Sequence, residues 1–70
     1  MPHIAVSMLP GRSREVKQEL AERLRDTLME ALGVDEKFVS VSVEDVELRD
    51  WDDSMKRFPK EDVFINPNKK

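Results

Sequence analysis

Residues 3–13, HIAVSMLPGRS, carry the chain from a strand into a helix, and the rest of the sequence is read outward from them. Ile4, Val6 and Met8 alternate with His3, Ala5, Ser7 and Leu9, and this period of two sets the first three on one face of a strand. Pro2 suits the start of that strand, where a missing N–H costs little. Pro10-Gly11 is a turn dipeptide. Ser13 then reads as a helix N-cap, although Val16 stands three residues on in place of Glu or Gln, so a full capping box is absent. From Val16 the apolar residues Leu20, Leu24, Leu28 and Leu32 recur every fourth position, joined by Ala21, Thr27 and Ala31, which draws one stripe along a helix. Glu19 and Arg23 stand four apart on its wet side, and Gly33 follows the last periodic residue, where a left-handed position ends many helices.

The segment Phe38 to Glu44 predicts a second strand, with Val39, Val41 and Val43 pointing one way and Ser40, Ser42 and Glu44 the other. Strand, helix and strand with short connections make a βαβ unit. Its crossover sets the strands parallel, so the valines and Ile4, Val6 and Met8 share the face under the helix. The opposite face is rich in small residues and sparse in apolar ones, and a second protomer is expected to cover it. Beyond Val46 the chain turns irregular and acidic, with Leu48, Trp51, Met55 and Phe58 as apolar anchors and a helical turn expected around Asp52 to Arg57, ended by Pro59. Val63-Phe64-Ile65 reads as a short third strand at a sheet edge. Neither a repeat nor a linker is evident, so the expected organisation is one domain over 1–70, α/β in class (α+β by some schemes), oligomerising through its sheet.

A chain of 70 residues buries only about 60% of the surface its unfolded form exposes, which favours self-association. A net charge of −3 gives no electrostatic footprint for phosphate backbones, so nucleic acid is not an expected partner. With no cysteine, a disulfide framework, a thiolate zinc site and a cysteine nucleophile are excluded. The acidic stretch from Glu44 to Asp53 lacks the spacing and central glycine of a calcium loop, and no Gly-x-Ser-x-Gly elbow accompanies the serines. Apolar runs fall short of a membrane span and no basic-then-apolar leader is present, so the expected setting is the cytoplasm, away from membranes.

Pro2 is the first candidate for chemistry. Inside a chain its nitrogen is an amide without basicity, whereas removal of Met1, which a small second residue permits, would leave a secondary amine. Free α-amino groups titrate near about 7.7–8.0 in short peptides, and an apolar wall or a nearby cation disfavours the protonated form, which suits a general base at neutral pH.

Pro2-His3-Ile4, the Gly11-Arg12-Ser13 step, the valine-rich second strand and Trp51 together resemble the 4-oxalocrotonate tautomerase family, over about Pro2 to Trp51. The tail through Phe64, Ile65 and Pro67 is closer in look to the branch of small bacterial phenylpyruvate tautomerases. The resemblance implies a cofactor-independent, metal-free isomerase in which the amino-terminal proline, Pro2, moves a proton within an enol or keto acid. It further implies that Arg12 binds the substrate carboxylate, that Trp51 walls the pocket and keeps it dry, and that subunits assemble as a dimer or hexamer with sites near subunit boundaries. Family members acting on dicarboxylic enols carry a second arginine where this chain has Ser40, which leaves Ser40, a water, Arg49 or Arg57 to take that part and points to a monoacid 2-hydroxy-enoate/2-oxo acid, or to weak and promiscuous activity, rather than efficient 4-oxalocrotonate turnover. His3 stays outside the expected catalytic set. A hydratase or dehalogenase-like activity on the same fold and a non-catalytic oligomeric binding protein are the alternatives.

Overall fold

The computed structural model describes residues 1–67. The last three residues of the expected 1–70 domain, Asn68, Lys69 and Lys70, lie outside the described residues. Strand β1 (His3–Met8) leads through the Pro10-Gly11 turn into helix α1 (Arg14–Leu32), and strand β2 (Ser40–Asp45) returns parallel to β1. A 3-10 turn over Leu48–Asp50, the short helix α2 (Trp51–Met55) and a 3-10 turn over Lys60–Asp62 follow.

Local chemistry accounts for each boundary. Gly11 has φ +129°, a conformation that side-chain-bearing residues rarely adopt, and it lets the chain turn out of β1. Ser13 caps α1, its hydroxyl accepting from the Val16 N–H at 3.2 Å. At the other end Gly33, with φ +67°, donates its N–H to the Met29 carbonyl at 2.8 Å and closes the helix. The second strand begins later than the valine alternation suggests, because Asp35 caps a 3-10 turn over Glu36–Phe38 through the Lys37 N–H at 3.0 Å. That turn removes Phe38 from the strand, and β2 runs on to Asp45 instead.

The register pairs Ile4 with Val41 and Val6 with Val43, so these four side chains share one face, and α1 lies against β2. Leu20, Leu24 and Leu28 of the helix stripe are half-buried, while Val16 and Leu32 at its two ends are exposed. Lys17 Nζ meets Asp45 Oδ2 at 2.8 Å and Arg25 Nη1 meets Glu36 Oε1 at 3.7 Å, pinning the helix to the end of β2 and to the turn before it. Among the described residues only Val46, 7% exposed, counts as fully buried and apolar. The core of the isolated chain is therefore thin, and large apolar side chains such as Leu9, Val16, Leu32 and Leu48 remain exposed to water.

The short C-terminal strand does not form within this chain. Val63 is extended (φ −93°, ψ 99°), yet the sheet contains only β1 and β2 among the described residues, and Phe64 and Ile65 are 94% and 88% exposed. A strand needs a neighbour to take its N–H and C=O groups, and α2 with the turns after it leaves Val63–Ile65 without one in its own sheet. No helix among the described residues is long and apolar enough to cross a membrane.

Candidate active site

The expected site residues divide between the two ends of the sheet. Pro2 immediately precedes β1 and is half-buried; its carbonyl accepts from the Ser40 N–H at 3.3 Å, so the parallel register brings Ser40 beside it. Arg12 is exposed in the turn after Gly11, past the opposite end of β1. Trp51 opens α2, half-buried, past the same end of β2. The six residues of β1 at roughly 3.3 Å each set about 20 Å between Pro2 and the end of the sheet that carries Arg12 and Trp51. One chain thus joins Pro2 with Ser40 and leaves Pro2 apart from Arg12 and Trp51.

The sheet face away from α1 is polar. Nδ1 of His3 lies 2.7 Å from Ser40 Oγ and Nε2 lies 3.0 Å from Ser42 Oγ, so one ring spans two hydroxyls of the neighbouring strand. Further along the same face, Arg57 Nη2 donates to Glu44 Oε1 at 2.6 Å and to Ser7 Oγ at 3.2 Å, and the Ser7 hydroxyl reaches Glu44 Oε1 at 3.5 Å. With both partners about half exposed, the Arg57–Glu44 pair contributes on the order of 0–1 kcal/mol, and its effect is to hold the segment after α2 under the sheet. Arg57 is therefore engaged at the end of the face away from Pro2, while Arg49 lies exposed in the turn before α2.

His3 is the residue that the sequence reading passed over. Its alternation placed it on the right face, but the contact with Ser40 and Ser42 depends on register, which a period of two leaves open. An open groove of about 210 Å³ between α1 and β2, lined by Arg14, Lys17, Gln18, Ala21, Val41 and Val43, holds none of Pro2, Arg12, Ser40 or Trp51. The expected site residues thus lie outside this groove, at the two ends of the sheet.

The family model described as "Tautomerase enzyme" matches residues 2–52, a stretch that begins at Pro2 and takes in Arg12, Ser40 and Trp51. The chain belongs to the tautomerase family. A probable tautomerase of Xylella fastidiosa (strain 9a5c) is 57% identical over 51 residues, 73% of this chain, and the chain spans 62% of that relative's length. The 2-hydroxymuconate tautomerase of Comamonas testosteroni is 37% identical over 51 residues, 73% of this chain and 81% of that protein. Among solved structures, TomN, a 4-oxalocrotonate tautomerase homologue in the tomaymycin biosynthetic pathway, superposes with a TM-score of 0.67 at 29% identity, over 84% of this tautomerase chain and the whole of its own. The βαβ tautomerase fold expected from the sequence is thus the observed one, except for the unformed third strand.

Proposed function

We propose that this tautomerase chain interconverts the enol and keto forms of a small 2-hydroxy-enoate/2-oxo acid, with the nitrogen of Pro2 as the base once Met1 has been removed. Met1 is 95% exposed, so its loss disturbs no packing. In the reaction the neutral amine takes the enol hydroxyl proton, the oxygen lone pair becomes the carbonyl, the carbon–carbon double bond shifts, and the ammonium returns a proton to the carbon at the far end. Nothing is oxidised or reduced, and the acid leaves with the atoms it brought. Arg12 holds the carboxylate through two charge-assisted bonds, and Trp51 excludes water, which keeps the amine neutral.

The observation that carries this reading is the separation of Pro2 from Arg12 and Trp51 by a sheet length, together with the thin core. A two-fold axis across the strands sets a second copy antiparallel to the first, so that the Pro2 end of each lies beside the Arg12–Trp51 end of the other. Two equivalent sites result, each drawing on both chains, and the exposed apolar residues Leu9, Val16, Leu32 and Leu48 are available for burial between copies.

Such a shared site is tested by complementation. Pro2→Ala and Arg12→Ala chains, each inactive or weak alone, are denatured, mixed in equal amounts and refolded. Half of the dimers are then mixed, and each mixed dimer holds one site with both native residues, so about a quarter of the wild-type rate is expected. If the mixture is no more active than the average of the two parents, Pro2 and Arg12 do not meet across copies.

A further inference from the structure

His3 is the only histidine in the chain, it follows Pro2 directly, and its ring joins the two serines that β2 presents at the Pro2 end of the polar face. We infer that His3 is a specificity-determining residue whose protonation, relayed through Ser40 and Ser42, lets the site accept a second carboxylate on the substrate. This deepens, and rests on, the reading that Pro2 carries the transferred proton.

The argument is one of hydrogen-bond inventory. A neutral imidazole has one donor and one acceptor nitrogen, so of the two serines one accepts from the ring and the other must spend its own proton on it. An imidazolium donates from both nitrogens, at the same 2.7 and 3.0 Å contacts, and both serine oxygens become acceptors. Both hydroxyl protons are then free to turn outward toward an oxygen anion, next to a new positive charge. The second carboxylate of a dicarboxylic enol suits that arrangement, whereas a monoacid gains little from it.

The surroundings do not quench the switch. Facing His3 from β2 are Ser40 and Ser42, both uncharged; the next residue on that face, Glu44, has its charge taken up by Arg57 from the segment after α2 at 2.6 Å. On β1 the same face continues with Ala5 and Ser7, and α1 lies on the other side of the sheet. The amine that loss of Met1 would free at Pro2 adjoins His3 along the chain, and an imidazolium beside it disfavours its protonated form. Imidazole is the side chain that changes charge between pH 5 and 8, so the effect falls where the enzyme can be assayed.

The test follows the His3 ring by nitrogen and proton NMR from pH 5 to 8, with cis,cis-muconate as the dicarboxylate and cinnamate as the monoacid probe, alongside kcat/KM for 2-hydroxymuconate and phenylenolpyruvate. Muconate should raise the His3 titration midpoint by roughly half a pH unit, and the dicarboxylate-to-monoacid ratio of kcat/KM should rise about threefold to fivefold toward acid pH, as suits a solvent-exposed charge pair. In His3→Gln, which keeps a donor and an acceptor for the serines without titrating, the ratio should be flat with pH while monoacid turnover persists. Equal effects of the two probes on the His3 midpoint, or the same ratio profile in wild type and His3→Gln, would overturn the inference. The ring titration needs no turnover, so it still decides the inference if Pro2-dependent catalysis is absent and the tautomerase reading fails.

Discussion

Pro2→Ala is expected to lower kcat for enol-to-keto conversion by about 10²–10⁴-fold, the usual contribution of a positioned general base. The alanine variant still exposes an α-amine once Met1 is gone. It lacks the pyrrolidine ring, which fixes φ and so aims the nitrogen lone pair, and a freely rotating amine loses that aim. The fold should not change, because the bond from the Ser40 N–H ends on the carbonyl of residue 2, which any residue supplies, at a distance of 3.3 Å. Circular dichroism and oligomeric state should match wild type while turnover collapses. In the wild-type protein, kcat/KM should fall as pH is lowered and the amine takes up a proton. A variant within threefold of wild type would remove Pro2 from the mechanism.

Arg12→Ala should act mainly on binding. Hydrogen bonds to charged groups contribute about 1.5–3 kcal/mol, which predicts a KM raised roughly 10- to 150-fold with a smaller change in kcat. Arg12 is exposed in a turn outside β1 and α1, so its loss should leave stability within about 0.5 kcal/mol of wild type. Arg12→Lys keeps the charge but not the fork, and should recover only part of the affinity. Unchanged KM and kcat in Arg12→Ala would place the carboxylate elsewhere.

The elements that carry their own chemical signature were readable in advance. Ser13 and Gly33 bound α1 where the cap and left-handed-glycine rules place them, and the alternation of Ile4 and Val6 against Val41 and Val43 gave both strands and the face they share. Two stretches were not. Val39 continues the valine alternation, but the Asp35 side chain competes for the backbone and turns Glu36–Phe38 into a 3-10 turn, so β2 starts after it. Val63-Phe64-Ile65 has strand-forming side chains, and its failure to join the sheet depends on what lies beside it, which local sequence does not encode.

The candidate site could be named from the sequence as a set of residue types, but its geometry could not. Pro2, Arg12 and Trp51 fall within the stretch matched by the tautomerase family, yet only the topology shows that two parallel strands carry Pro2 to one end and the other two to the opposite end. The same holds for His3, whose bonds to Ser40 and Ser42 follow from pairing His3 with Ser40 rather than with a neighbour one step away. Arg57 looked like a spare guanidinium in sequence, and its bonds to Glu44 and Ser7 commit it to holding the chain after α2.

The central claim, that the nitrogen of Pro2 is the base, is tested most directly without any substitution. Protein retaining Met1 and protein freed of it, distinguished by intact mass, are compared for conversion of phenylenolpyruvate by ultraviolet absorbance at equal concentration. The rate should be proportional to the fraction of chains that begin at Pro2 and close to the uncatalysed rate when every chain keeps Met1, since an amide nitrogen cannot accept the proton. Equal rates from the two preparations would contradict the account.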